Sequence, residues 1–277
     1  MLITRFDPWK SSYCTCPLKY SLNPYTGCSH GCLYCYITSY IPNAFNLRVK
    51  KNVVKRVEKE LREKKDKISY ISLSNSSDPY PPEEKKYEIT RAILNVLNFY
   101  GIKRQIVTKS DLVKRDVDLL QKTSVSMSIT TMKDSKRIEP NAPDPEKRIE
   151  ALKELSESGI KCSLRLDPIM PHINDSYESM HEVIFRAAPY IKHVTASTLK
   201  PRYDSLKRMK KAFPGIDWDG LYIEKVGRAF YLDKERRMEI LLKVRDICKD
   251  YGLTFSCCRE GIPINDKNVA CDGSHLI

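Results

Sequence analysis

Short apolar or β-branched runs return about every thirty residues along this chain, each leading into a longer segment of helical period. The runs are LKYSL (18–22), ISYISLS (68–74), IKRQIVT (102–108), SVSMSIT (124–130), IKCSLRL (160–166) and IKHVTAS (191–197). Helices are expected over 51–66, where Val53, Val54, Val57 and Leu61 share a face, and over 83–100, where Ile89, Ile93, Val96 and Leu97 do. More are expected near 112–122, 145–158, 175–188, 203–212 and 234–251. Asp144 ahead of Pro145 reads as a capped helix start, and Gly159 and Gly252 stand where helices should stop. Such alternation predicts an α/β fold, a parallel sheet with helices outside and reactive residues at the C-terminal strand ends. Six units close only part of a ring, so a partial (β/α)6 barrel is expected. Residues 1–212 are read as that barrel with its N-terminal cysteine segment, and 213–277 as a C-terminal extension packed on it.

Composition narrows the function. No apolar run approaches the roughly 18 residues of a membrane span, and MLITRFDPWK at the N-terminus lacks the apolar core of a secretory signal. A cytoplasmic location is expected, where ten cysteines point to metal ligation or redox chemistry before a disulfide framework. Gln occurs only at 105 and 121 beside abundant Lys, Glu and Ile, a thermophile's usage, and in thermophiles cytoplasmic disulfides also occur. The formal charge of +13 is concentrated: residues 47–67 hold ten Lys or Arg against four acids, and 200–211 hold six against one. Both segments suit a phosphate backbone, and both suit solvated helix faces.

Three cysteines, Cys28, Cys32 and Cys35, fall in NPYTGCSHGCLYCY (23–36), the loop after the first strand. A structural zinc site takes four ligands, often as two CxxC-like pairs, whereas this Cys-x3-Cys-x2-Cys stands alone. Three thiolates on a [4Fe–4S] cube leave one iron open to an outside ligand. Ligation by His30 would fill that position, so His30 is read as shaping the loop.

With an aromatic before its last cysteine, Cys28-Ser-His-Gly-Cys32-Leu-Tyr-Cys35 resembles the cluster loop of the radical S-adenosylmethionine (SAM) superfamily. The ordered series SLNPYTGCSHGCLYCY, SSDPYPPEEKKYEITRAIL, VTKSDLVKRDVDLL, SMSITT, RIEPNAPDPEKRIEALKELSESGI and DPIMPHIND, over residues 20–197, is similar to its spore photoproduct lyase-like, DNA repair photolyase-related group. The resemblance implies a [4Fe–4S] cluster on Cys28, Cys32 and Cys35 whose open iron binds SAM. It also implies an electron donor such as ferredoxin or flavodoxin, reductive cleavage of SAM to a 5′-deoxyadenosyl radical, and hydrogen abstraction from a substrate. Ser77 and Asp78 match the part that faces SAM, and Lys109 and Ser128 match polar contacts to it. Arg165 in the fifth strand suits either the methionyl carboxylate or a structural ion pair. One departure stands out: the lyases carry a hydrogen-donating cysteine where this chain has Ser74-Asn75-Ser76-Ser77-Asp78. Thymine-dimer cleavage by their route is therefore not implied.

Of Cys14, Cys16, Cys257, Cys258 and Cys271, four could hold a second cluster or a zinc ion. Their spacing is unlike zinc pairs and favours iron–sulfur, while the alternative is reduced cysteines packed as small hydrophobes. Cys162 and Cys248 are read as core, His172 at the barrel mouth as a surface turn or a substrate contact, and Tyr25, Tyr80 and Tyr203 as core or as platforms beneath a base. Three functions fit: a radical enzyme on nucleic acid, repairing a DNA lesion or modifying RNA; one on a protein, peptide or small molecule with an auxiliary cluster; or a zinc-containing nucleic-acid module without catalysis.

Overall fold

Polar and apolar residues alternate in the fourth run, where Ser124, Ser126 and Ser128 interleave with Val125 and Met127, and all five are buried. A strand covered on both faces usually reads as continuously apolar, so one face here must meet a polar interior. In the computed structural model, which describes residues 1–6 and 11–277, that interior is the inside of an open barrel. Residues 7–10, part of the stretch read for a signal sequence, lie outside the description.

The sheet comprises β1 (Thr4–Arg5), β2 (Tyr20–Leu22), β3 (Ile71–Leu73), β4 (Arg104–Thr108), β5 (Thr123–Ser128), β6 (Lys161–Ile169), β7 (His193–Thr198) and β8 (Thr254–Cys257), side by side in chain order. β1 is antiparallel to β2, and every later pair is parallel. The six expected strands are all present, and β8 adds a seventh parallel one. At four residues, running straight into paired cysteines, β8 is too short to show a period of its own.

The connecting helices are α1 (Val53–Lys64), α2 (Ile89–Phe99), α3 (Pro145–Glu157), α4 (Tyr177–Ala187), α5 (Tyr203–Ala212) and α6 (Lys234–Asp250). The segment near 112–122 forms a 3₁₀ helix, Asp111–Leu119, capped by Ser110 Oγ accepting from the Leu112 amide at 3.3 Å. Gly159 and Gly252, at φ +79° and +64°, come just after Ser158 and Tyr251, the residues that cap α3 and α6. Asp144 stands at the start of α3, but its carboxylate lies 3.2 Å from Lys136 Nζ instead of capping. Among the described residues no helix is long and apolar enough to cross a membrane.

Register explains the two faces. Leu73, Ile106 and Val125 follow one another across the ladder, as do Met127, Leu164 and Val194; all are fully buried and join one core with Val57, Leu61, Ile93, Leu152, Ile184 and Val244 from the helices. Each such side chain contributes about 1.5–3 kcal/mol on burial. The alternate positions, among them Ser72, Gln105, Ser128, Arg165 and Ser197, line the cavity instead.

Beyond β8 the chain returns beneath the barrel. Buried Asp272 pairs with Lys19 and accepts from the Tyr70 hydroxyl at 3.0 Å, while Gln105 donates to its carbonyl. Gly273, at φ +79°, lies so near that an added Cβ would stand 3.2 Å from Ser163 Oγ. Lys19, Tyr70, Gln105 and Ser163 all sit at or near N-terminal strand ends. The tail is thus a floor, and the mouth opens at the opposite end.

Candidate active site

The loop between β2 and α1 is fixed by its backbone. Gly27 sits at φ +80°, where a Cβ would meet the carbonyl oxygens of Ala44 at 2.7 Å and Asn46 at 2.8 Å, so only glycine fits. The next amide, that of Cys28, donates to Ala44 O at 2.8 Å. Farther along, Leu33 N donates to Ile138 O at 2.9 Å, and Asn141 Nδ2 donates to Ser29 O at 2.9 Å. Arg208 of α5 adds a clamp, with Nε to Leu33 O at 2.9 Å and Nη2 to Cys35 O at 2.7 Å and Thr38 Oγ1 at 3.0 Å.

Cys28, Cys32 and Cys35 are free thiols on this loop, Cys32 buried and the others partly so. Burial first, then the Asp78 charge, pushes Cys28 up to about 12. Burial and Glu139 raise Cys32 well above the ordinary thiol range, against an opposing pull from Lys109. Cys35 is raised by burial, with Lys109 and Arg208 opposing. Such thiols stay protonated until a cation displaces the protons. Among the described residues no three His, Cys, Asp or Glu side chains close on a single ion position. Thiolates at separate corners of a cube stand farther apart than ligands of one ion, so an all-sulfur set of three with cations beside it fits the open-cornered cluster.

Beside this loop lies a cavity of about 420 Å³, lined by Lys109, Ser128 and Arg165 among the expected SAM residues. Lys109 Nζ is 4.0 Å from Glu139 Oε1 and 5.6 Å from the Tyr34 ring centre. Burial opposes its charge, yet Glu139 and Cys32 hold its pKa above the ordinary value. Glu139 itself is fully buried, 2.6 Å from Arg148 Nη2, and accepts from the Tyr34 hydroxyl and from Thr130 Oγ1 at 3.2 Å. Arg148 also donates to Ser128 O at 3.0 Å, which fixes the backbone beneath the Ser128 hydroxyl.

Arg165 makes the ion pair that was one of its two readings, Nη2 to Asp167 Oδ2 at 2.8 Å, and faces the cavity as well. Burial works against the Asp167 charge, but Arg165, Lys200 and the Ser197 hydroxyl at 2.6 Å hold the carboxyl down at about 2.

Ser77 and Asp78 do not line the cavity. Asp78 accepts from Thr108 Oγ1 at 2.6 Å and from the amides of Lys109 at 2.8 Å and Tyr80 at 2.9 Å. His30 Nε2 lies 3.4 Å from the same carboxylate and Nδ1 3.4 Å from Asn141 O, so Asp78 ties the cysteine loop to β4 through His30. Ser77 is partly buried, and its hydroxyl makes no hydrogen bond among the described residues. Their neighbours Ser74, Asn75 and Ser76 do line the cavity.

Sequence reasoning passed over Asp167, Lys200, Tyr36 and Tyr40, all on the cavity wall. Tyr36 donates to Asn75 O at 2.6 Å and stacks on Tyr40, ring centres 6.3 Å apart. The available signal was position: Asp167 lies near the end of its strand, Lys200 follows its own, and the tyrosines follow the last loop cysteine.

The basic segments differ. On α1, Lys55, Arg56, Lys59 and Arg62 are exposed on the barrel's outer layer. In 200–211, Lys200 is buried 2.7 Å from Glu260, Arg202 is buried, Arg208 holds the loop and Lys210 lies 2.6 Å from Asp219. Lys207 and Lys211 are the exposed remainder. Tyr25 and Tyr80 are buried, whereas Tyr203 is 79% exposed on α5. His172 occupies an exposed turn, its amide donating to Asp175 at 2.8 Å.

Of the remaining cysteines, Cys162 and Cys248 lie in the core. Cys257 turns from the cavity toward Asn265 Oδ1 at 3.1 Å. Cys14, Cys16 and Cys258 line the cavity, and Cys271 Sγ stands 3.3 Å from Cys16 Sγ.

The family model described as "Radical SAM superfamily" matches residues 22–187. An uncharacterized protein of Methanocaldococcus jannaschii is 39% identical over 57% of this chain and 62% of its own length. An uncharacterized protein of Mycobacterium tuberculosis is 26% identical over 62% of this chain and 56% of its own length. The chain thus spans less than two thirds of these curated relatives. A solved spore photoproduct lyase variant with bound AdoMet and dinucleoside spore photoproduct superposes with a TM-score of 0.70 at 19% identity, covering 90% of this chain and 79% of the lyase. At that identity the likeness is one of fold.

Proposed function

Because the chain belongs to the radical SAM superfamily, we propose that it is an enzyme that cleaves SAM reductively and abstracts hydrogen from a nucleic-acid substrate, repairing a DNA lesion or modifying RNA. The observation that carries this is the adjacency of the three-cysteine loop to a polar cavity at the C-terminal strand ends, bridged by Lys109. In this reading Cys28, Cys32 and Cys35 hold a [4Fe–4S] cluster, which supplies one-electron reduction of SAM, drawn from a donor such as ferredoxin or flavodoxin in the cytoplasm. Lys109 and Arg165 receive the methionyl carboxylate, and the Ser128 hydroxyl adds a hydrogen bond. Asp78 serves at one remove, holding the Lys109 amide and His30, and Ser77 stands next to the wall.

Nucleic acid is favoured as substrate by the +13 charge and by the fold neighbour, which was solved with a dinucleoside photoproduct. No cysteine occupies the Ser74–Asp78 stretch, so the final hydrogen donor differs from the lyase route. Anaerobically reconstituted protein reduced with dithionite should release 5′-deoxyadenosine from SAM, and the C28A/C32A/C35A variant should not. Equal release by both would end the proposal. Binding to DNA or tRNA should weaken steeply with added salt. Salt-insensitive binding would move the substrate to the protein, peptide or small-molecule class.

A further inference from the structure

Cys14 and Cys16 precede β2, while Cys258 and Cys271 follow β8, and β2 and β8 bound the open side of the parallel barrel. Four thiols separated by most of the sequence are therefore gathered where the ring fails to close. Cys16 and Cys271 stand 3.3 Å apart, and both Cys14 and Cys271 donate to Cys16. Cys258, fixed by its amide to Ala196 O at 2.9 Å, is close enough to act electrostatically on Cys14 and Cys271. Cys257, one residue earlier, faces Asn265 on the other side of the strand, so alternation sends only one of the adjacent pair to this place.

Charges of both signs surround the group: Lys19 and, more weakly and in opposition, Asp272 act on Cys16, while Arg165 is within hydrogen-bonding reach of Cys258. Lys19 and Arg165 already have carboxylate partners in Asp272 and Asp167, so what sets these thiols apart from packed small hydrophobes is their gathering from both ends of the chain at one place.

We propose that Cys14, Cys16, Cys258 and Cys271 form a four-thiolate site for a thiophilic metal centre, a zinc ion or an iron–sulfur cluster, that staples the two edges of the barrel beside the cavity. No three of these sulfurs close on one ion position in the present arrangement, so binding exchanges the thiol protons for the metal and draws the side chains from their present pairing onto the centre. Because Cys14, Cys16 and Cys258 line the same cavity as Arg165, the centre forms part of its wall.

The site is separable from the loop of Cys28, Cys32 and Cys35. In the C28A/C32A/C35A variant, purified and reconstituted anaerobically, zinc or iron with sulfide should remain bound; zinc alone identifies an ion, iron with sulfide a cluster. Adding C14S/C16S/C258S/C271S should abolish it, and C257S should leave it unchanged. Absence of zinc, iron and sulfide from the folded C28A/C32A/C35A protein would overturn the proposal, as would a Cys16–Cys271 disulfide found by mass spectrometry in anaerobic protein. Should the combined variant fail to fold, C271S alone decides, since a site of three thiolates must release its metal to a chelator more readily than the wild type. Equal release would overturn the proposal.

Discussion

Arg208 donates to the backbone carbonyl of Cys35 at 2.7 Å, reaching it from 173 residues away. With the bond to Leu33 O it makes a planar fork that spans the last two turns of the cysteine loop. A residue that counts in the sequence as part of a basic patch is thus a brace for the three-cysteine loop.

Arg208→Ala should strand two carbonyls and cost about 1–3 kcal/mol, with reduced iron incorporation, and Arg208→Lys should recover only part. Neutralising Lys207 and Lys211 should leave iron content unchanged and reduce only the salt dependence of nucleic-acid binding. Iron analysis and titration at several salt concentrations check both, and iron loss in the Lys207/Lys211 variant would contradict the division.

Lys109→Ala should weaken SAM binding about tenfold or more, the worth of one charge-assisted contact, while cluster assembly survives. Equilibrium binding to the unreduced protein measures this without turnover.

Glu139 ties Tyr34 of the loop to Arg148 of α3 in a fully buried ion pair. Glu139→Gln leaves Arg148 buried without its counter-charge and should cost about 3–5 kcal/mol, read from the urea midpoint at constant slope. An unchanged midpoint would show the pair to be replaceable.

Asp167 is held down at about 2 in the folded chain against an ordinary value near 4. The unfolded chain therefore takes up its proton first, so this contribution is complete above about pH 4 and disappears as pH falls toward about 2. Asp167→Asn should flatten that part of the stability profile, as measured by unfolding at a series of acid pH values.

Much of the scaffold was legible because period carries it. Val53, Val57 and Leu61 on α1, and Ile71 and Leu73 on β3, declare which face meets the core through spacing alone. The cysteine loop was legible because its chemistry is local. Arg208, Glu139 and Asp272 were not, since each acquires its role from partners brought near only by folding: Cys35, Arg148 and Lys19. Asp78 shows the difference within one residue. Its place next to the site was readable, but its four neighbours Thr108, Lys109, Tyr80 and His30, which make it a strut, were not.

Along each strand the hydroxyl-bearing residues and the helix-facing aliphatic ones take turns, so a single ribbon carries two independent scripts. Ser72, Ser128 or Ser197, which face the cavity, can be rewritten without disturbing Leu73, Met127 or Ala196, whose packing holds the helices in place. Descendants of such a scaffold can change what they accommodate inside while inheriting the outer shell untouched.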